Sequence, residues 1–195
     1  MKNNDKLKGR DFVTIGIFTV LYFALLWIVG MIGMVPVLYA LFPFAAGIVA
    51  GPLMMLFYAK EAKPWTLLIM GLLLPIAFFL MGHHFLIIIL ALPFFIIAEL
   101  IRRSGKCISF AKNKLSYAVF NMFLCVSIMQ AKLVPEFYEN LTVNMMGREY
   151  HDSLVKIFSW PVIIGMFITA FIGGLIGAYL GKKMLKKHFE KAGIV

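Results

Sequence analysis

The sequence predicts an all-α, polytopic membrane protein with six transmembrane helices and both termini in the cytoplasm. Composition is the first observation behind this prediction: 62% of the 195 residues are hydrophobic, only 14% are charged, and the mean hydropathy is +0.92. Soluble domains carry about 25% charged residues, so a soluble enzyme domain and a disordered chain are both excluded. The other two observations are the length of the apolar runs and the positions of the basic residues.

Six apolar runs account for the predicted helices. A helix that crosses about 30 Å of hydrocarbon needs roughly 20 mostly apolar residues. The runs that fit are 11–34, 36–58, 64–81, 84–101, 115–131 and 160–180. They are continuously apolar rather than alternating, which favours helices over a β-barrel, and the first run is too long for a cleavable signal peptide. We therefore expect one transmembrane domain, 1–195, with a single sizeable loop at 132–159.

The predicted orientation follows from the distribution of charge. Most of the 19 basic residues lie in the tails 1–10 and 182–195 and in the connections 59–63 and 102–114, which fall on one side of a six-helix bundle. Basic residues mark the cytoplasmic side of a membrane protein, so both tails are expected inside and the loop 132–159 outside. Because these residues flank membrane helices, they are expected to meet anionic lipid head groups rather than nucleic acid.

Small residues recur every four positions along the last apolar run. The row consists of Gly165, Thr169, Gly173, Gly177 and Gly181. Such spacing lets helix backbones approach closely in a membrane. Two interpretations are open: packing within the chain, or a docking face for a partner subunit that includes Gly173 and Gly177.

The sequence contains no recognisable catalytic motif. It lacks a Walker A sequence, a G-x-S-x-G and an H-E-x-x-H, so we expect neither an enzyme nor a chain that hydrolyses ATP itself. An acid within a span suggests ion coupling, but Glu99 precedes Arg102 by three residues and is expected to form an interfacial ion pair. Cys107 and Cys125 fall at different depths, so no disulfide is expected between them.

The remaining polar and aromatic side chains gather at the predicted outer mouth of the bundle. The candidate substrate-binding residues are His83, His84, Gln130, Tyr138, Asn144, Tyr150, His151 and Trp160. Histidine can bind a metal or a haem iron, but no ligand spacing indicates a dedicated metal site. The alternatives are that the paired histidines cap a turn and that Trp160 anchors the chain at the membrane interface.

Three segments resemble a known family: KLKGRDFVTIGIFTVLYF near the start, LMGHHF at the turn between the third and fourth runs, and GGLIGAYLGKKMLKKHFEKAGIV at the end. They are similar to the S components of energy-coupling factor (ECF) transporters, and among these to the Trep_Strep or MptD family. The resemblance implies a substrate-binding subunit of an ABC importer in the plasma membrane of a Gram-positive bacterium. Such a subunit captures a micronutrient in an outer pocket and docks on a scaffold transmembrane subunit that two cytoplasmic ATPase subunits drive. It delivers the substrate by toppling in the membrane.

The same resemblance implies a docking face on the first span. Its A-x-x-x-A pattern corresponds to Gly16, Val20 and Ala24, and Val20 departs from that pattern. The expected substrate is a vitamin-like or nucleobase-like compound, or haem with His83 and His84 as candidate iron ligands, and no resident cofactor is expected. The alternative function is a structural or regulatory membrane protein that assembles with partner helices and binds no solute.

Overall fold

A computed structural model of the chain describes residues 6–186, which form helices and turns but no strand. The α-helices are α1 Gly9–Gly30, α2 Pro36–Tyr39, α3 Phe42–Lys60, α4 Thr66–Leu80, α5 Leu86–Ser104, α6 Phe110–Asn121, α7 Val126–Leu133, α8 Pro135–Met146, α9 Arg148–Ile157 and α10 Trp160–Met184. Short 3₁₀ turns extend α1 over Met31–Met34 and join α6 to α7 over Met122–Cys125. The predicted all-α membrane fold is confirmed at this level.

Four helical segments of the described chain are long and apolar enough to cross a membrane. They are Gly9–Met34, Phe42–Lys60, Phe110–Leu133 and Trp160–Met184. Helix α4 is apolar but has only 15 residues. Helix α5 is long enough, but Glu99, Arg102 and Arg103 lie close together in its last turns. These polar residues lower the hydropathy of α5 without interrupting its helix.

The boundaries differ from the predicted ones in three places. The fifth predicted run, 115–131, lies within a longer segment in which α6 begins at Phe110 and α7 ends at Leu133. The second predicted run, 36–58, divides into α2 and α3, because Pro43, which has no backbone N–H to donate, lies in the first turn of a new helix. The predicted loop 132–159 is not irregular: most of it folds into α8 and α9, with Gly147 between them at φ 89°. This helical pair covers one end of the bundle.

Hydrogen bonds across the chain identify two ends of the bundle. At one end α1 begins, α3 meets α4, α5 meets α6 and α10 ends, and Lys63 donates to Asp11 over 2.6 Å. We call it the basic end. At the other, α4 meets α5, and the backbone N–H of His84 donates to Oε1 of Gln130 in α7 over 3.0 Å. We call it the loop end, because α8 and α9 lie there.

Helices α3 and α10 meet backbone to backbone. A Cβ atom on Gly47 would lie 2.7 Å from the backbone nitrogen of Gly174, and one on Gly51 or Gly177 would fall on backbone atoms of the facing helix. Asn121 of α6 spans the same contact, because its Nδ2 donates to the carbonyl oxygens of Pro43 and Ala170 over 2.9 and 2.8 Å. The three helices form one closely packed unit.

This packing decides between the two interpretations of the small-residue row. Gly173 and Gly177 are buried against α3, so the proposed docking face that contained them is not exposed to a partner. Packing within the chain is what the structure shows. The spacing identified a close helix contact but could not say which helix fills it.

Buried polar side chains hold the basic end together. Arg102 is fully buried and donates to the carbonyl oxygens of Glu61 and Lys63 and, over 2.8 Å, to Oγ1 of Thr66. Glu99 accepts a hydrogen bond from the backbone N–H of Trp65 over 2.6 Å. The expected ion pair between Glu99 and Arg102 is therefore wrong for the described residues, because both side chains are used to fix the connection between α3 and α4.

Candidate functional site

The two histidines of the loop end lie in a tight turn between α4 and α5. Gly82 makes the turn at φ 100°, a backbone conformation that residues with a Cβ seldom adopt. The ring of His83 lies edge-on to Phe78, with centroids 5.4 Å apart, and its Nδ1 is buried without a hydrogen-bond partner among the described residues. Burial lowers the pKa of His83, so its imidazole is held neutral.

His84 is used differently from its neighbour. Its Nδ1 accepts the backbone N–H of Leu86 over 3.3 Å, and its own backbone N–H donates to Gln130. Its ring packs against Phe85 and, edge-on, against Phe137, at centroid distances of 4.4 and 4.9 Å. The alternative in which the histidines cap a turn therefore describes His84 and not His83.

Gln130 positions this turn from α7. It is fully buried; its Oε1 accepts from His84 and its Nε2 donates to the carbonyl oxygen of Ser127 over 3.3 Å. Each half of the amide therefore makes one hydrogen bond within the chain. Gln130 supports the histidine turn and keeps one acceptor position and one N–H.

A second group of predicted residues lies between α8 and α9. His151 is buried and its Nδ1 is 2.7 Å from Oγ1 of Thr142, while its ring centroid is 6.3 Å from that of Tyr138. Tyr150 donates its hydroxyl to the carbonyl oxygen of Gly33, which ties α9 to the end of α1. Burial raises the pKa of Tyr150 to about 12, so the hydroxyl keeps the proton that it donates.

Two phenylalanines complete the site and were not singled out from the sequence. Phe137 of α8 touches His84, and Phe78 of α4 touches His83, so aromatic rings flank the histidine turn on both sides. Leu141 of α8 lies over Gly82, where a Cβ would be 3.8 Å from its side chain. With 19 phenylalanines in the chain, no sequence signal distinguishes these two.

The structure brings six of the eight candidate residues into two adjoining groups. The first group is the histidine turn with its support, made of His83, His84 and Gln130. The second group lies on α8 and α9 and is made of Tyr138, Tyr150 and His151. Asn144 is exposed near the end of α8, and Trp160 is 50% exposed at the first turn of α10. These two lie outside the groups.

The predicted docking residues of α1 have the opposite environment to Gly173 and Gly177. Val20 is 68% exposed, Ala24 is exposed, and a Cβ on Gly16 would meet no atom within 4 Å. This face of α1 is therefore uncovered by the rest of the described chain. Within residues 6–186, no three or more His, Cys, Asp or Glu side chains lie close enough together to hold a metal ion.

Comparison with known protein families gives one result. The family model described as "hypothetical bacterial integral membrane protein (Trep_Strep)" matches residues 9–191, which is nearly the whole chain. No curated protein and no solved structure matches.

Proposed function

Because this chain belongs to the Trep_Strep family of bacterial integral membrane proteins, we propose that it is the substrate-binding S component of an ECF importer. It captures a micronutrient at the outer face of the plasma membrane of a Gram-positive bacterium. It then docks on a scaffold transmembrane subunit, which two cytoplasmic ATPase subunits drive. The resemblance of the ends of the chain to S components supports this role.

The proposed topology has six spans and places both termini in the cytoplasm. The spans are α1, α3, α4, α5, the continuous segment α6–α7, and α10. Helix α4 is the shortest of them, about 22 Å at 1.5 Å per residue, and a short span is accommodated by local thinning of the bilayer. The basic end then faces the cytoplasm and the loop end faces outward, as the positive-inside rule requires.

The observation that carries the proposed site is the buried Nδ1 of His83, which has no partner among the described residues. In the tautomer with the proton on Nε2, Nδ1 of a neutral imidazole accepts a hydrogen bond from a substrate N–H or O–H or binds iron. The flanking rings of Phe78 and Phe137 suit a planar compound. We therefore propose a vitamin-like or nucleobase-like substrate, or haem with His83 as the iron ligand, since Nδ1 of His84 already accepts a hydrogen bond.

Helices α8 and α9 cover this site, so substrate uptake requires them to move. Leu141 and Phe137 hold α8 over the histidine turn through apolar and ring contacts. Gly147 joins α8 to α9 at a positive φ and has open space around its Cα. We propose that α8 swings about Gly147 to admit the substrate and closes over it.

Native mass spectrometry of the purified full chain tests the binding role. A small molecule that copurifies and survives gentle ionisation identifies the substrate, and His83→Ala should release it while His188→Ala, in the C-terminal tail, should not. Haemin added to the protein should give a shifted Soret band that His83→Ala weakens. If no small molecule is retained from native membranes and haemin gives no shift of the Soret band, the result favours a structural or regulatory membrane protein that binds no solute.

Copurification tests the docking role. Tagged protein from native membranes should bring down the scaffold and both ATPase subunits in a mild detergent. Val20→Trp places a bulky ring on the uncovered face of α1 and should weaken this association. Ile168→Trp, on a residue of α10 that is 57% exposed, is the matched control and should not. A chain that never copurifies with these subunits is not an S component.

A further inference from the structure

A cavity at the basic end is separate from the site of the histidine turn. It has a volume of about 250 Å³ and lies where α3 ends, α6 begins and α10 ends. Its wall includes Met55, Tyr58, Ile108, Phe110, Asn113 and Lys182. Its volume equals roughly eight water molecules at about 30 Å³ each, which is enough for a small polar group but not for a large ligand.

The charge around this cavity selects for an anion. Lys182 lines it, with its Nζ 4.3 Å from the centroid of the Phe110 ring, and no carboxylate is among the lining residues. Further exposed lysines on the same loop and helix ends are Lys106, Lys112 and Lys183. A ligand that enters this environment gains most from carrying negative charge.

One residue of the cavity wall also has an unsatisfied hydrogen-bond acceptor. Asn113 is 7% exposed, and its Nδ2 donates to the carbonyl oxygen of Cys107 over 3.4 Å. Its Oδ1 is buried and has no partner among the described residues. A buried acceptor without a hydrogen bond is costly, so a ligand with a hydroxyl or amine donor would be favoured here.

The backbone beside Asn113 is strained in a way that shapes the cavity wall. Lys106 and Cys107 are consecutive residues at φ 54° and 59°, in the left-handed region that residues other than glycine seldom occupy. This turn places Ile108 in the wall, which also includes Met55 of α3. Strained backbone of this kind is concentrated at binding sites.

We propose that this cavity binds the head group of an anionic, hydroxyl-bearing phospholipid with the chemistry of phosphatidylglycerol. The phosphate pairs with Lys182, a glycerol hydroxyl donates to Oδ1 of Asn113, and the upper acyl chains pack against Ile108 and Phe110. The lipid belongs to the inner leaflet, which rests on the orientation in the proposed function. The retained lipid then fixes the ends of α3, α6 and α10 to one another.

Lipid retention by the full chain tests this site. The protein is purified in detergent, mixed with equal amounts of phosphatidylglycerol and phosphatidylcholine, and examined by native mass spectrometry. Phosphatidylglycerol should be retained preferentially, and Lys182→Gln should weaken its apparent affinity about tenfold, as expected for the loss of one direct charge-assisted hydrogen bond to the phosphate. Lys183→Gln, whose Nζ lies over Tyr179 instead, is the control and should change it less than twofold.

Two further arms separate a built site from general attraction. Ile108→Trp fills the cavity from an exposed position, so it should abolish the preference for phosphatidylglycerol without disturbing the core. Asn113→Leu removes the buried acceptor and should reduce the difference in retention between phosphatidylglycerol and phosphatidylcholine. Equal losses in Lys182→Gln and Lys183→Gln, or an unchanged preference in Ile108→Trp, overturn the proposal. Displacement of the lipid by soluble glycerol phosphate at millimolar concentration would assign the site to a free phosphate ester and also overturn it.

The result of the lipid-retention experiment does not depend on whether the chain takes part in transport. No substrate, scaffold or ATPase subunit takes part in the measurement, so a chain that fails to copurify with an importer can still retain the lipid. A chain without lipid preference can equally still dock. Failure of either proposal is therefore visible separately.

Discussion

Oε1 of Gln130 accepts the backbone N–H of His84 over 3.0 Å, and this single hydrogen bond joins α7 to the turn between α4 and α5. The bond matters because the turn also carries His83, whose Nδ1 is buried without a partner among the described residues. The side chain of Gln130 thus sets the position of His83. At the loop end, Gln130 therefore supports the turn that carries the neutral imidazole of His83.

Replacing Gln130 with leucine should loosen this turn. The variant leaves the backbone N–H of His84 without its acceptor, at a cost of about 1–3 kcal/mol. Thermal unfolding of the full chain in detergent should show a lower midpoint, and substrate or haemin binding should weaken with it. Ser127→Ala, which keeps the carbonyl oxygen that Gln130 uses, is the control. Equal midpoints for Gln130→Leu and the native chain would contradict the supporting role.

Gly177→Ala should disrupt the contact between α3 and α10. A Cβ at this position would fall on the carbonyl oxygen of Gly47, so the backbones must separate. Overpacking of this kind costs about 1–3 kcal/mol and occasionally more. The midpoint of thermal unfolding in detergent measures the loss.

Gly165→Ala is the matched control for that variant, because it changes the same residue type in the same helix and the same small-residue row. A Cβ on Gly165 would meet no atom within 4 Å. It should leave the midpoint unchanged or raise it slightly, because alanine favours a helix over glycine by up to about 1 kcal/mol. An equal loss in both variants would contradict the role of the backbone contact, since helix propensity cannot lower the midpoint in either.

Arg102→Met should destabilise the basic end strongly. The variant removes donors from two buried carbonyl oxygens and from Oγ1 of Thr66, and we expect a loss of about 3 kcal/mol or more. Arg103→Met is the comparison, since Arg103 is exposed and stacks on Trp65 at 4.4 Å, an interaction worth about 1 kcal/mol or less. Denaturant unfolding or limited proteolysis of the connection between α3 and α4 distinguishes them. Comparable losses would show that the buried hydrogen bonds contribute little.

Stability should fall in acid because of His83. Burial lowers the pKa of His83 in the folded chain, whereas the unfolded chain has the ordinary value of about 6.5. Below that value the unfolded chain takes up a proton that the folded site resists, so the free energy of unfolding declines as the pH falls. The unfolding midpoint should therefore drop between about pH 7 and 5.

His83→Asn should flatten this acid decline, and His188→Asn should leave it as in the native chain. The asparagine cannot take up a proton in either state, so its contribution no longer depends on pH. A series of unfolding midpoints at constant ionic strength across the same range measures the slope. If the slope is the same in all three proteins, His83 is not the group responsible.

Helices α1, α3, α4, α5 and α10 could be predicted from the sequence because each lies mostly within a continuous apolar run, and hydropathy alone identifies such runs. Helices α8 and α9 could not, because Glu136, Glu139 and Arg148 give 132–159 the composition of a polar loop. Pro135 at the first helical position and Gly147 after the last were nevertheless start and stop signals in their usual places. These local helix signals were present, but the segment lacks a continuous apolar run, and its polar composition predicted a loop instead.

The polar contacts were harder to predict than the helices. Glu99 and Arg102 are three apart, which favours an ion pair on an isolated helix, yet each turns to backbone groups of the connection between α3 and α4. Burial explains the difference, because enclosed backbone donors and acceptors must be satisfied and a loop supplies several at once. Whether Nδ1 of His83 has a hydrogen-bond partner likewise depends on which side chains surround it, and sequence spacing does not give this.

The contact between Gly51 of α3 and Gly177 of α10 closes one seam of the helical bundle. Two helices whose main chains touch leave no passage between them for a solute, and no side chain there can swing aside to create one. Whatever solute the chain binds, it cannot pass between α3 and α10. The glycines that the sequence displays as a simple row therefore seal this seam of the bundle.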